Sequence, residues 1–316
     1  MEPEPRAGAP GNLAARIAPH LRTKRFGRPL HVHAVATSTN DLARDLAAAG
    51  AAEGTAVLAL EQSAGRGRLG RRWVSPPGGL YLSLVLRPSF PVERWPLIGL
   101  ACALGAAAAA DAHLGRDGRA PERRVRLKWP NDLLLDGRKV GGILTEAAGD
   151  AALCGIGVNV VPPTRSRPSE ISSRRAVDSP KQDAPAPPAP TGRHPGEPGA
   201  SEAAWLAEWD PTVSIAVVAS DLLLECERRY LTLTEDPGAV LDEWRTRTVT
   251  LGQRVRVTAP NPIQGVAEDI DADGALLVRT ASGTRRVLAG DVVTYDPGAA
   301  RGEPVGDTQK TVPHAR

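Results

Sequence analysis

Aromatic residues are scarce in this 316-residue chain, at 3% of the total. Cysteine is as rare: only Cys102, Cys154 and Cys226 are present, far apart in sequence. They lack metal-ligand or redox spacing, and each sits among apolar residues. That predicts buried, reduced thiols and suits a reducing cytoplasm. No early stretch carries a charged segment followed by an apolar one, so no secretory signal is read. The most apolar window, residues 97–112, is alanine-rich and too short for a membrane span. Excess charge is lacking too. A net charge of +3 argues against bulk attraction to nucleic acid, so positive charge matters here only where it is concentrated.

It is concentrated in Gly65-Arg66-Gly67-Arg68-Leu69-Gly70-Arg71-Arg72-Trp73, which holds four arginines and three glycines. Glycine lets a backbone bend closely around a ligand, and guanidinium forks match phosphate and carboxylate oxygens. Arginine-glycine runs are also common as solvated tails. Position argues against a tail, because the run lies between two strand-like segments. Ala56-Val57-Leu58-Ala59-Leu60 precedes it, and the alternating Leu80-Tyr81-Leu82-Ser83-Leu84-Val85-Leu86 follows. The sequence therefore predicts a loop that closes over an anion.

Several boundaries are legible. Residues 1–27, rich in Pro, Ala, Gly and Arg, predict a flexible arm. Ser38-Thr39-Asn40-Asp41 opens a helix that Gly50 ends, with Ser38 and Asp41 placed as a capping pair. A long helix is expected over 95–113. Val125 to Trp129 reads as a strand stopped by Pro130, and Asp136-Gly137 as a hairpin turn. Ten prolines between Pro162 and Pro198, with no aromatic residue, predict a disordered insertion over 162–200. Helices return over 212–231 and 237–247. Short strands over 248–296 suggest a small SH3-like β-barrel, and 297–316 a loose tail. The fold class is α+β: a central mixed or antiparallel sheet with flanking helices over 28–247, followed by the barrel.

Four further elements accompany the arginine loop. They are Ser38-Thr39-Asn40 at a helix start, Gln62, Lys128-Trp129-Pro130-Asn131-Asp132, and Gly155-Ile156-Gly157-Val158-Asn159. Each alone has a plain structural reading: a cap, a strand-edge lysine, a core indole, turn formers, close packing. Taken in this order, and with Lys139-Val140-Gly141-Gly142-Ile143-Leu144-Thr145-Glu146, they resemble the biotin protein ligases. The resemblance is strong over 29–160 and weaker to Tyr295. Fewer than thirty residues precede the pattern, so the resemblance implies the form without a DNA-binding domain, acting on no DNA and no membrane.

The resemblance implies two-step chemistry. The carboxylate of biotin attacks the α-phosphate of ATP, with Mg2+ sharing the neutralisation, to give biotinyl-5′-AMP. A lysine of the biotin carboxyl carrier domain of a biotin-dependent carboxylase then takes the biotin, as in a biotin–[acetyl-CoA-carboxylase] ligase. Lys128 and Arg68 are the implied catalytic cations. Ser38, Thr39, Asn40, Gln62, Arg66, Gly67, Arg68 and Lys128 would hold biotin. Arg66, Arg68, Arg71, Trp73, Asn131, Lys139 and Asn159 would hold ATP or the adenylate. No resident metal ligands are expected. A lipoate protein ligase of the same fold is the nearest alternative, and a non-catalytic nucleic-acid-binding module is the alternative from another class. An octanoyl-transferase would need a cysteine at a polar loop, and none is there.

Overall fold

The computed structural model describes residues 10–114, 123–163, 203–258 and 262–295. Most of the insertion and the whole tail expected from the sequence lie outside these residues.

Seven strands form the main sheet: β1 (Leu30–His33), β2 (Ala56–Ala59), β3 (Gly79–Leu86), β4 (Arg126–Lys128), β5 (Asp132–Leu135), β6 (Arg138–Ala148) and β7 (Ala151–Asn159). Their order is β1-β2-β3-β7-β6-β5-β4. Only β1 and β2 run parallel. The other neighbours are antiparallel, so the sheet is mixed as expected. The β5–β6 turn has Asp136 and Gly137 both at positive φ, 49° and 76°, as an Asp-Gly hairpin requires.

The two faces of the sheet are filled differently. Side chains alternate along a strand, so Leu80, Leu82, Leu84 and Leu86 of β3 share one face with Ile156 and Val158 of β7. That face packs on α3 (Pro96–Asp111), which packs in turn on α4 (Ile215–Glu235) and α5 (Pro237–Arg247). Val92–Asp111 is apolar and long enough to pass for a membrane span, but most of it is buried in this core. The opposite face carries α2 (Thr39–Ala48). Only a small apolar cluster joins them, Ala43 and Ala47 against Val57, Val85, Ala151 and Leu153. The rest of that face bears Tyr81, Ser83, Gly155 and Gly157, and is left for a ligand.

One expectation needs correction. Residues 10–27 are not a loose arm. Pro10–Ile17 forms α1, and Leu13, Ile17 and Phe26 are buried. The buried Glu227 of α4 accepts the backbone N–H groups of Lys24, Arg25 and Phe26 at 2.7–2.8 Å, which pins the segment. Leu13 and Ile17 stand one helical turn apart, so both reach the core from the same face of α1. The C-terminal strands form an antiparallel sheet consistent with the small barrel-like domain expected, not closed among the described residues. β8 (Arg254–Thr258), β9 (Ile263–Ile270), β10 (Leu276–Thr280), β11 (Gly283–Val287) and β12 (Asp291–Thr294) are ordered β11-β10-β9-β8-β12, all antiparallel. β11 is an exposed edge carrying Arg285 and Arg286, a charged strand that resists further pairing.

The three thiols, distant in sequence, gather in the core and are free and buried. The Cys154 thiol is pushed well above its ordinary range by its hydrogen bond with Cys102 and by burial.

Candidate functional site

The face of the sheet under α2 forms a cleft. Its walls are Ser38–Asn40 from the start of α2, Gln62, Arg66 and Gly67 from the arginine loop, and Trp73. The floor is Tyr81, Asn131, Gly142–Leu144 and Gly155–Gly157. Sequence-distant motifs thus meet because β3, β7 and β6 are adjacent and α2 crosses above them.

The polar wall is a connected network. The Thr39 N–H and hydroxyl donate to Gln62 Oε1 at 2.8 and 3.2 Å, and Gln62 Nε2 donates to Ser75 Oγ at 2.8 Å. Ser83 Oγ donates to Asn40 Oδ1 at 2.6 Å and lies 2.8 Å from Thr39 Oγ1. Asn40 Nδ2 donates to Glu146 Oε2 at 2.7 Å. Glycine is required beneath this wall. A Cβ on Gly155 would stand 2.5 Å from Asn40 Oδ1, and one on Gly157 would stand 3.0 Å from Trp73 Nε1. Ser38 occupies the N-cap position of α2, yet its side chain makes no capping bond. The expected Ser38–Asp41 cap is therefore absent. Ser38 lines the cleft, and Asp41 has another partner.

That partner is Arg66. The four loop arginines have four different surroundings. Arg66 pairs with Asp41 and, at 3.0 Å, with Glu146. Its pKa is raised, first by the hydrogen bond to Asp41 and then, against some desolvation, by Glu146. Arg68 turns inward, 3.5 Å from Asn131 Oδ1. Burial lowers its pKa, the charge of Asp132 opposes that, and the like charge of Arg71 adds to it. A guanidinium stays charged through such a shift. Arg71 turns away from the cleft and pairs with Asp291 on β12. Arg72 is exposed, 3.5 Å from the Ser63 carbonyl. The loop closes on itself through Gly67 N–H to Arg71 O at 2.7 Å and Trp73 N–H to Gly65 O at 2.9 Å. Leu69 at its tip is exposed and has a positive φ of 56°, an uncommon conformation for a residue with a Cβ.

Trp73 lies over Gly142 and Gly157, with Lys139 Nζ 4.8 Å from its ring. Its indole N–H is buried and has no acceptor. Lys139 also pairs with Asp132.

Lys128 ends β4, in register with Asp132 and three residues before Asn131 of the cleft floor. Among the described residues its ammonium has no hydrogen-bond or ion-pair partner, although it is half-buried. The next residue explains how it is held. Trp129 is buried, its backbone N–H donates to Thr250 Oγ1 at 2.8 Å, and its indole donates to Gly274 O at 3.1 Å. The plain core reading of Trp129 is thus the observed one, and the C-terminal sheet anchors the strand end that carries the lysine. Asn131 Nδ2 donates to Ile143 O at 2.9 Å.

Five of the site residues expected from the sequence, Arg68, Arg71, Lys128, Lys139 and Asn159, are not among the cleft walls or floor. Arg71 joins the two sheets, as described. Asn159 is buried at the end of β7, its amide 3.3 Å from the Lys139 carbonyl and outside the cleft walls. Its glycine-rich strand does reach the cleft, but at Gly155 and Gly157. Conversely, Asp41, Ser83 and Glu146 were not read as site residues. Ser83 left a signal, as the one hydroxyl amino acid in an otherwise apolar or aromatic strand. Glu146 ended the Lys139–Glu146 motif, but nothing in the sequence named its partners.

A glycine-floored cleft with an amide-rich wall and an arginine lid defines a class. Residues 32–160 match the Biotin/lipoate A/B protein ligase family, and residues 250–295 match the Biotin protein ligase C terminal domain. The chain is similar to the bifunctional ligase/repressor BirA of Bacillus subtilis, 31% identical over 294 residues, covering 90% of this chain and 79% of that protein. It is similar to the biotin--[acetyl-CoA-carboxylase] ligase of Mycobacterium tuberculosis, 31% identical over 271 residues, covering 84% and 89%. The solved biotin protein ligase from Aquifex aeolicus in complex with biotin and ATP has the same fold. Its TM-score is 0.60 over 86% of this chain and 98% of that one, at 24% identity. The chain belongs to the biotin protein ligase family.

Proposed function

We propose that this chain is an ATP-dependent biotin protein ligase that forms biotinyl-5′-AMP. It then passes biotin to a lysine on the carboxyl carrier domain of a biotin-dependent carboxylase, acetyl-CoA carboxylase in the reading closest to its relatives. One observation supports the proposal: Arg68 of the arginine loop lies 3.5 Å from Asn131 Oδ1, and Asn131 shares the cleft with the Ser38–Gln62 wall. A group that binds the urea ring of biotin needs donors and acceptors together, and Ser38, Thr39, Asn40 and Gln62 supply both.

The first step brings the biotin carboxylate against the α-phosphate. A carboxylate oxygen bonds to phosphorus and pyrophosphate leaves. Negative charge accumulates on the phosphoryl oxygens, where preformed cations lower the barrier most. Lys128, which has no ion-pair partner among the described residues, and the inward-facing Arg68 supply that charge. Mg2+ enters as the ATP complex. No group of three His, Cys, Asp or Glu side chains among the described residues gathers to hold a metal, and Mg2+ commonly uses phosphates and water. Trp73, with Lys139 behind it, offers its ring face to the adenine. In the second step the acceptor's amine attacks the acyl carbon and AMP leaves. Until then the arginine loop shields the mixed anhydride from water. A reducing cytoplasm suits the free, buried thiols.

The test is direct. The purified chain is mixed with ATP, Mg2+, a biotin acceptor domain and either biotin or lipoate, and the acceptor is weighed by mass spectrometry. Added biotin mass supports the proposal. Added lipoyl mass alone, or no added mass, overturns it. RNA binding that weakens steeply with salt, without ATP turnover, would favour the nucleic-acid alternative.

A further inference from the structure

Glu146 has no role in the chemistry proposed above, yet it sits where the polar wall of the cleft meets the arginine loop. A single oxygen, Oε2, accepts from Asn40 Nδ2 at 2.7 Å and from Arg66 Nη2 at 3.0 Å, with Arg44 Nη2 3.4 Å away. The carboxylate is only a quarter exposed, at 26%, so its interactions are less screened than those of a surface pair.

Two consequences follow from the chemistry of that oxygen. A carboxylate only accepts, so it dictates which end of the Asn40 amide faces it. Nδ2 must point to Glu146, which leaves Oδ1 to take the Ser83 proton at 2.6 Å. The orientation of an amide in the cleft wall is thereby set from both sides. The same oxygen also draws the Arg66 guanidinium down onto that wall. Asp41, the other anchor of Arg66, belongs to α2 as well. The lid is therefore fastened to the element that carries the polar wall, and Glu146 touches both.

We infer that Glu146 is a positioning residue that couples the wall at Asn40 to the lid at Arg66, and so sets how long the closed loop retains the activated intermediate. The inference rests on the proposed ligase reading. Glu146 acts through Asn40 and Arg66, not by touching the reacting atoms. With Gln in its place one acceptor oxygen remains, but the charge is gone and the amide of residue 146 can turn either way. Asn40 then loses its fixed orientation, and Arg66 keeps only the more exposed Asp41.

The experiment uses the full chain. Biotinyl-5′-AMP is formed in place from labelled biotin and ATP, and its release is followed by rapid gel filtration after an unlabelled chase. Glu146→Gln is expected to speed release by about tenfold, a charge-assisted contact being worth roughly that much. It should also raise the KM for biotin more than it lowers kcat for pyrophosphate release, a split that general loosening of the fold would not produce. Arg66→Met supplies the second arm. If Glu146 works through Arg66, the double variant releases the adenylate no faster than about twofold beyond Arg66→Met alone, the coupling expected of neighbours in one network. Release from Glu146→Gln at the wild-type rate overturns the inference, as do fully multiplicative effects in the double variant. If Glu146→Gln does not fold, Arg66→Met still decides: release at the wild-type rate from that variant overturns the inference too. Wild-type protein that makes no adenylate at all would instead overturn the ligase reading.

Discussion

Arg71 of the arginine loop is paired with Asp291 of β12, so the exit of the lid is fastened to the C-terminal sheet while its entry is fastened to α2 through Arg66 and Asp41. The C-terminal sheet thus has two contacts with the site, this one and the Trp129–Gly274 bond behind Lys128. Arg71 is 56% exposed, and such a pair contributes only ~0.2–1 kcal/mol. Asp291→Ala should therefore speed adenylate release by no more than about fivefold. The difference from wild type should shrink at high salt, because screening removes what the mutation removes. Release measured at low and high ionic strength checks this; an effect that grows with salt would contradict it.

Lys128 offers a cleaner separation of activity from stability. Its ammonium binds nothing else among the described residues, so Lys128→Ala leaves no protein group unsatisfied. The melting temperature should stay close to that of wild type. Pyrophosphate release should fall at least about a hundredfold, as when a preorganised electrostatic contact is lost. Calorimetry and a pyrophosphate assay on the same preparation test both halves. Near-normal turnover would remove Lys128 from the mechanism.

Arg68 predicts a loss of containment. It is the lid arginine that turns inward, held near Asn131 and Asp132. Arg68→Gly removes the charge and loosens the backbone together, so the reactive adenylate should escape and acylate lysines on unrelated proteins. Bystander albumin probed for biotin gives the readout. Labelling still confined to the acceptor domain would show that the latch lies elsewhere, with Arg66 and Glu146 the next place to look.

What could be read in advance, and what could not, follows from how far apart the partners lie in the chain. The helix at 237–247 and the Asp136-Gly137 hairpin were legible because local spacing and turn chemistry decide them. The motifs around Lys128 and Gly65 were legible as a set. Their division of labour was not. Whether Arg66 meets Asp41 or a phosphate depends on α2 lying over β6, a matter of tertiary packing that leaves no mark on a run of glycines and arginines. The partners of Glu146 and Glu227 were hidden for the same reason. Each is a lone carboxylate on an ordinary strand or helix, and becomes particular only through partners about a hundred to two hundred residues away. The C-terminal strands were legible from their spacing, which reports that strands exist but not whether the first and last meet.

Glu227 carries a prediction about the fold alone. Its two oxygens accept three backbone N–H groups from the segment after α1, and the residue is 5% exposed. Glu227→Gln keeps the shape but turns one oxygen into a donor facing donors. The loss should be about 2–4 kcal/mol, from weakened charge-assisted bonds and at least one unsatisfied buried group. Denaturant unfolding measures it, and the segment at 24–26 should become sensitive to protease before the rest of the chain. A midpoint equal to that of wild type would mean that this segment contributes little to the fold.

Gly155 tests the floor of the cleft with a single methyl group. Its backbone is in an ordinary strand, so Ala there meets no backbone strain of its own. The new Cβ would stand 2.5 Å from Asn40 Oδ1 and 3.1 Å from Asn40 Cγ, closer than side chains tolerate. Asn40 cannot step aside without breaking its bonds to Ser83 and Glu146, which are 2.6 and 2.7 Å long. Overpacking of this kind costs about 1–3 kcal/mol. Because the displaced group is in the polar wall rather than among the cations, the penalty should fall on biotin. Its KM should rise about five- to a hundredfold, in proportion to that energy, while the KM for ATP changes far less. Steady-state kinetics with each substrate varied in turn distinguishes the cases. A Gly155→Ala enzyme with unchanged biotin KM would mean that the Asn40 wall does not face the vitamin, and the assignment of that end of the cleft would have to be reversed.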